Sequence, residues 1–370
     1  MPIRVLVISD YRSFHTVRPE AEIFIALAKK GLEITVMTFG DSAYVQLFRE
    51  AGIDVSEFHP TKKLDKLEIQ TIKDVLVKKK IDILHLFNSQ AIINGIQAAK
   101  NLPVKIVLYR GYTGNIHWYD PSMYIKYLHP RVDAIQCNSV GVANLFKRQL
   151  FFNKSKAYAI NKGHRIEWYQ DVKPADVRRE FNIEENALVL INVANNRKMK
   201  GIPYLLKAMA MLDENLPIHL LLVGRDMDTT SNLSLINNSL AKSKVHFTGF
   251  RSDALSLVAG ADIFVLSSLF GESITKAVIE AMSLGIPPII TDIPGNVELV
   301  ENNKSGLIVK SKNPEELKDA IMKLYNNPEL RKNIGIDALE HIKTKLNTEN
   351  TAERVYAMYK ELLDVKIRSN

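Results

Sequence analysis

Apolar runs rich in Val, Ile and Leu recur along the chain, separated by stretches with helical spacing. Arg4–Ser9 predicts a strand, Pro19–Lys30 a helix and Leu32–Phe39 the next strand, which is the rhythm of a parallel sheet. The pattern continues through Ile81–Phe87, a helical stretch ending at Lys100, Val104–Tyr109, Asp133–Asn138 and Ala157–Gly163. Because these runs are apolar at consecutive positions, both faces of the sheet are expected to be covered. Polar residues around Tyr169–Pro174 interrupt the series, and a second one begins at Leu188–Val193. It runs through Pro217–Gly224, Lys244–Gly249, Ala261–Leu266 and Ile286–Thr291, with helices between. Two doubly wound, Rossmann-like domains follow, with boundaries at 1–170 and 171–350. The tail from Glu315 to Lys366 reads as helical. Pro328 opens one helix, and Val355, Met358, Tyr359 and Leu362 share a face of the last, residues 351–370, which is expected to return to the first domain.

Composition narrows the class. A chain of 370 residues with 46% hydrophobic and 24% charged residues is globular and long enough for two domains. Its one cysteine, Cys137, lies in an apolar run and reads as a buried, inert thiol, so no internal disulfide framework is available. There is no apolar stretch of bilayer length and no cleavable leader pattern, so a cytoplasmic chain is expected. Charge is unevenly placed: residues 1–170 carry 24 Lys and Arg against 15 Asp and Glu, and the rest 25 against 26. A one-sided basic field attracts anionic lipid, nucleic acid or an anionic substrate, and it also describes an ordinary solvated face. Within that half, Trp118, Tyr119, Tyr124, Ile125, Tyr127 and Leu128 alternate with Lys126 and Arg131, and Phe146–Phe152 is followed by Lys154 and Lys156. Aromatics mixed with cations over 118–156 suit an anionic membrane surface, and equally a helix packed on a sheet.

The densest chemical signal is Ser267–Pro287. A strand ends near Ser267, Gly271 permits a tight turn, and Ser273-Ile274-Thr275 leads into a helix whose unpaired N–H groups can receive a phosphate. Glu272 and Glu280 are eight apart, a spacing that means little alone, since Glu353 and Glu361 repeat it on the terminal helix. Context separates the pairs: Glu280 stands among Ala277, Val278, Ala281 and Met282, where an inward carboxylate needs hydroxyl or amide donors, such as those of a ribose diol.

The run from Gly249, Phe250 and Arg251 through Asp262, Ser268, Glu272, Glu280-Ala-Met282, Gly285, Pro287 and Pro294–Glu298 to Gly306 resembles the C-terminal domain of the large family 4 of retaining GT-B glycosyltransferases. The resemblance implies two Rossmann-like domains facing across a cleft, a nucleotide-sugar donor on the second and a glycan or lipid-linked acceptor on the first. It implies that Glu280 holds the nucleotide ribose, Glu272 the sugar hydroxyls, and the amides of Ser273, Ile274 and Thr275 the diphosphate, with Phe250 and Arg251 also on the donor side. The family's basic pair after the first strand is represented by Lys200-Gly201. Asn195 stands where an arginine is usual, leaving Arg197 or Lys198 as the substitute. Lys200 and Arg197, with Glu272, are thus the catalytic candidates, two cations that would neutralise a leaving diphosphate with neither metal nor cofactor.

The first domain departs further from that pattern. Asp10–Glu20 replaces the usual glycine-rich loop, leaving Arg12 or Arg18 for anion contact, and Tyr109–His117 offers Arg110 and His117 where relatives place a cleft histidine. Asp226-Met-Asp228 imitates the metal signature of a different glycosyltransferase architecture, but following a strand of the second domain it is expected to be a turn of N-cap carboxylates. His85, His219 and His246 lack metal-ligand spacing and are expected in or beside the core. No glycine-rich dinucleotide fingerprint follows the first strand, and no nucleic-acid partner is expected. The alternatives are a nucleotide-sugar epimerase of the same architecture and a non-catalytic two-lobed sugar binder. Surface polysaccharide or lipopolysaccharide synthesis is the expected setting.

Overall fold

The structure is a computed structural model that describes residues 2–114, 116–150, 156–237 and 239–368. The chain divides into two compact units, Met1–Gly163 with Leu346–Asn370, and His164–Lys345. The first passage between units therefore comes before the polar stretch expected to be the boundary at 170, and the return comes at 345–346 instead of 350. The reason is local packing. Residues Ile166–Tyr169 form a 3-10 turn, and His164 and Tyr169 are buried and hydrogen-bonded at 2.7 Å, so this stretch is folded into the second unit and is no linker.

Unit 1 is built from β1 (Arg4–Ile8), α1 (Phe14–Lys29), β2 (Glu33–Met37), α2 (Tyr44–Glu50), β3 (Asp54–Ser56), α3 (Lys66–Lys78), β4 (Ile83–Leu86), α4 (Ser89–Ala98), β5 (Lys105–Arg110), β6 (Ala134–Cys137), α5 (Val140–Gln149) and β7 (Ala157–Ala159). Unit 2 follows with α6 (Val177–Glu180), β8 (Leu188–Val193), α7 (Ile202–Ala210), β9 (Ile218–Val223), α8 (Thr230–Ser234), β10 (Val245–Gly249), α9 (Ala254–Ala259), β11 (Ile263–Leu266), α10 (Lys276–Ser283), β12 (Pro288–Thr291), β13 (Leu307–Val309), α11 (Pro314–Tyr325) and α12 (Pro328–Thr344). The last helix, α13 (Thr348–Arg368), belongs to unit 1 and lies against α1.

Unit 1 holds a seven-stranded sheet in the order β3-β2-β1-β4-β5-β6-β7, with parallel pairing throughout. Successive strand residues point to opposite faces, and the core divides accordingly. Leu6, Ile8, Leu84, Leu86 and Leu108 pack with Ile72 of α3, Ile92 and Ile96 of α4 and Phe146 of α5. Val5, Val7, Ile83 and Val107 pack on the other face with Phe24 of α1 and with Val355, Met358, Tyr359 and Leu362 of α13. Helix α1 begins before the expected Pro19 and carries that proline inside. The ring forgoes one backbone bond, offset by the buried face that Ala21, Phe24 and Leu27 supply.

Unit 2 has a six-stranded parallel sheet, β10-β9-β8-β11-β12-β13. Leu190, Leu222, Val265 and Ile289 pack against Leu205 and Leu206 of α7 and Ile321 and Leu324 of α11. In both sheets the strand order reverses beside the first strand, between β1 and β4 and between β8 and β11. Such reversals open a crevice at the carboxyl ends of the strands, where open α/β sheets hold ligands.

Candidate functional site

The reversal in unit 2 gathers the strongest sequence candidates. Past β8 the chain forms a 3-10 turn, Lys198–Lys200, and Gly201 at φ 66° turns it into α7. A side chain at Gly201 would sit 2.0 Å from the Ser267 carbonyl. The loop is zipped onto the end of β11 by Leu269 N–H to the Met199 carbonyl, 2.7 Å, and Ser267 Oγ to the Lys200 carbonyl, 3.0 Å. This registration brings the Lys200 ammonium onto Glu272 Oε1 in an ion pair with both side chains mostly buried. Ser268 Oγ donates to the same oxygen at 3.1 Å. Two of the three catalytic candidates are thus in contact; Arg197 is exposed on the same loop, with no side-chain ion pair among the described residues.

Beyond Glu272, Gly271 at φ 78° and Gly295 at φ 94° shape the approach to α10. A Cβ on Gly295 would lie 2.9 Å from the Ser273 backbone, so backbone packs on backbone there. Ser273 and Thr275 are buried, Ile274 is half-buried, and Thr275 Oγ1 donates to Asn296 Oδ1 at 2.9 Å. The fully buried Asn296 Nδ2 has no hydrogen-bond partner. Helix α10 begins at Lys276 with Thr275 as an N-cap residue that makes no side-chain cap bond, so its first N–H groups form an anion-receptive end. Glu280, one helical turn in, is mostly buried and is paired with Lys276. The donor its carboxylate needs is therefore present on the helix itself, where the sequence pointed to hydroxyls or amides.

Phe250 and Arg251 follow β10. Phe250 is exposed, with the Arg225 guanidinium 5.0 Å from its ring centroid, and Asn196 N–H reaches the Arg225 carbonyl at 3.4 Å. Arg225, not singled out by the sequence, thus stands as a cation where β8, β9 and β10 end. Arg251 is engaged by Glu180 and by Asp253 at 2.7 Å, and the hydrogen bonds it donates to these carboxylates, Asp253 first, raise its pKa. Asp226, at φ 57°, occupies a turn. Thr229 Oγ1 caps α8, which corrects the expectation of carboxylate caps.

In unit 1 the reversal between β1 and β4 is bridged by Asp10 N–H to Asn88 Oδ1, 2.9 Å. His59 Nε2 lies 3.2 Å from the same oxygen and its ring stacks on Phe39, 4.6 Å between centroids. Burial lowers the His59 pKa, the Asn88 contact opposing. Arg12 is tied to Asp10 at 2.8 Å and lies over Phe39, and its hydrogen bond holds the Asp10 carboxyl below the usual range. Lys162, just after β7, meets the buried Glu20 of α1 at 2.7 Å and lies over the Tyr109 ring. Burial alone would lower the lysine's pKa, but Glu20 and Tyr109 outweigh it and raise it. Sequence reading missed His59, Asn88, Glu20 and Lys162. The one available signal was Asn88, a polar residue between a strand and a helix. The acceptor-side candidates are scattered. Arg110 is buried, bonded to the carbonyls of Tyr112 and Gly114 and stacked on Tyr112. His117 is exposed against Tyr119, and Arg18 lies near the Phe14 ring.

Cys137 is buried, its thiol pushed up to about 12 by desolvation. His85 and His219 are buried, and His246 is half-buried. Among the described residues no three or more His, Cys, Asp or Glu gather as metal ligands, and no helix is long and apolar enough to cross a membrane. In the aromatic-basic segment, Phe151, Phe152 and Lys154 lie outside the described residues. Phe146, Leu150 and Lys156 are buried, so this part of the expected membrane face is core.

Comparisons with known proteins agree with the two-unit reading. The chain is similar to N-acetyl-alpha-D-glucosaminyl L-malate synthase of Bacillus anthracis, 25% identical over 352 residues and covering 91% of both chains. Its fold matches a glycosyltransferase from Rickettsia africae, TM-score 0.80 at 19% identity over 98% of this chain and 99% of that one. Anabaena HepE in complex with UDP matches with TM-score 0.76 at 19% identity over 98% and 100%. The profile of the glycosyl transferase 4-like family matches residues 4–139, and that of glycosyl transferases group 1 matches residues 174–341. With unit 1 carrying the first profile, and unit 2 carrying the second around the Lys200–Glu272 pair, the chain belongs to the group 1 glycosyltransferases of GT-B fold.

Proposed function

We propose that this enzyme moves a sugar from a UDP- or GDP-linked donor held on unit 2 to a glycan or lipid-linked acceptor held on unit 1, with retention of anomeric configuration and without a metal. The Lys200–Glu272 pair at the β8/β11 reversal carries the reading. As the bond from the anomeric carbon to the diphosphate oxygen breaks, negative charge grows on the leaving group, and Lys200 and the first N–H groups of α10 are fixed donors for it. Glu272 would then exchange Lys200 for the sugar hydroxyls while keeping Ser268. Asn296 Nδ2 offers a further unmet donor beside Thr275, and Glu280, released from Lys276, would take the ribose. The acceptor hydroxyl gives up its proton to the departing diphosphate oxygen as the new glycosidic bond forms. A cytoplasmic place in surface polysaccharide or lipopolysaccharide synthesis suits a lipid-linked acceptor.

A second reading of the acceptor has its own support. The Bacillus anthracis relative, matched along nearly its whole length, is named for a malate acceptor, and the basic surplus of residues 1–170 suits a small anionic hydroxy acid. Incubation with a panel of UDP- and GDP-sugars, each with a lipid diphosphate-sugar or with malate, decides it. Proton NMR of the product reports the anomeric configuration. A product of inverted configuration, or turnover abolished by chelator and restored by a divalent ion, would overturn retention or metal independence respectively. Conversion of donor alone to an epimer would point to an epimerase.

A further inference from the structure

Arg225 and Phe250 leave the ends of β9 and β10 side by side, because Gly224 N–H donates to the Gly249 carbonyl at 2.9 Å. The turn that carries Arg225 is fixed by its backbone. A Cβ on Gly224 would lie 1.7 Å from the Ala194 carbonyl, so the chain packs directly on the end of β8. Asp226 takes φ 57°, uncommon for a residue with a side chain, and its carbonyl accepts from Asn196 Nδ2. Met227 then returns to the core, where its carbonyl accepts from Asn232 Nδ2 at 2.7 Å. A turn so constrained points to a task for what it presents, and the two arginines around Phe250 differ in what they have left to give. Arg251 spends its guanidinium on Asp253 and Glu180. Arg225 is exposed, and among the described residues its side chain meets only the Phe250 ring, 5.0 Å from the centroid; Asp226 and Asp228, exposed on the same turn, make no ion pair with it. Phe250 is itself 64% exposed.

A bare aromatic face beside an unspent fork of N–H donors suits a flat heterocycle, its ring on Phe250 and its edge on Arg225. Strand order decides which part of the donor that is. The Lys200–Glu272 pair lies where β8 and β11 end, and β9 and β10 follow on the far side of β8, with about 4.8 Å between neighbouring strands. With the diphosphate at Lys200, the nucleoside extends along these two strand ends. We propose that Arg225 selects the base of the donor, donating to a ring carbonyl while Phe250 supports the ring. A guanidinium only donates, so O4 of uracil or O6 and N7 of guanine satisfy it, whereas the amino groups of cytosine and adenine turn N–H against N–H. The assignment rests on unit 2 holding the donor and adds to that reading the class of base.

The test is calorimetry on the full chain with UDP, GDP, CDP and ADP. The wild type should bind UDP or GDP about tenfold or more tighter than CDP and ADP, and the comparison of UDP with GDP reports which of the two bases is taken. Arg225→Ala should weaken the preferred nucleotide by about tenfold or more and flatten the preference. Arg225→Gln, whose amide both donates and accepts, should keep part of the affinity and admit CDP or ADP. In steady-state kinetics Arg225→Ala should raise the KM for the sugar donor far more than it changes kcat, because the base is remote from the breaking bond. Unfolding temperature and circular dichroism confirm that these surface variants fold. If the wild type binds none of the four nucleotides, the donor reading of unit 2 falls and this proposal with it. If the wild type binds one and Arg225→Ala keeps both affinity and preference, base selection alone is overturned. An equal loss for all four nucleotides also overturns it, and would place Arg225 on the phosphates or the ribose.

Discussion

At the scale of single residues, the Lys200–Glu272 contact sets the sharpest expectation. A fixed cation that meets charge developing only as the bond breaks acts mainly on the transition state, and losing such a donor costs about a hundredfold or more in turnover. Lys200→Ala should therefore lower turnover on that scale and change UDP or GDP affinity much less, as read by steady-state kinetics beside calorimetry. Because Lys200 and Glu272 touch, Glu272→Gln on top of Lys200→Ala should cost less than the two separate losses combined. Wild-type turnover by Lys200→Ala would leave the Lys200–Glu272 pair a structural contact only. The sequence singled out both residues through a resemblance, but could not bring them together: their contact depends on how Gly201 and Ser267 nest, a close approach of two backbones with no side-chain signature. His59, Asn88, Glu20 and Lys162 were illegible for a related reason. Each is an ordinary polar residue until the sheet order aligns the strand ends.

At the scale of elements, the long buried strands were readable because their apolar runs outlast any loop, whereas β3 and β13, with three residues each, are too short to carry a pattern and are defined by their neighbours. The edge of the second sheet illustrates chemistry that pairing alone creates. His219 on β9 and His246 on β10 stand side by side, and Glu184 Oε2, His219 and His246 form a chain with links of 3.0 Å. If His219 Nε2–H donates to the carboxylate, its Nδ1 accepts from His246 Nε2–H, and both rings are neutral. Burial, then the His219 neighbour, lowers His246 to about 4. An unfolded histidine takes its proton near pH 6.5, so between the two values the unfolded chain binds more protons. The stability present above about pH 6.5 is lost as pH falls toward 4. Urea midpoints at neutral pH and at about pH 5 should thus differ more in the wild type than in His246→Asn. Equal differences would mean that His246 contributes nothing to the acid sensitivity. His85, brought to about 3 by burial and then by Lys162, adds to the slope in both proteins.

At the scale of the whole molecule, the decisive element is the last helix. The sequence showed its apolar face, and the structure shows that face completing the core of unit 1, with Tyr359 Oη 2.7 Å from His85 Nδ1 on β4. Tyr359→Phe keeps the ring but leaves the buried Nδ1 without its partner, at a cost of about 1–3 kcal/mol. A drop of several degrees in unfolding temperature is expected, with nucleotide affinity unchanged; an unchanged unfolding temperature would mean the hydrogen bond contributes nothing. The two crossings between units also meet within unit 1, where a Cβ on Gly163 would lie 2.0 Å from the Asn347 carbonyl, so chain far apart in sequence is closely fitted there. Unit 2 is one unbroken stretch, residues 164–345, whereas unit 1 needs residues from both sides of it. During synthesis the first sheet must therefore wait, its Val5, Val7 and Val107 face uncovered by α13, while the entire second unit leaves the ribosome. Domains ordinarily finish in the order in which they are made. Here the unit begun first is completed last, and it is the nascent first sheet, with apolar surface open to water, that most needs shielding while translation continues.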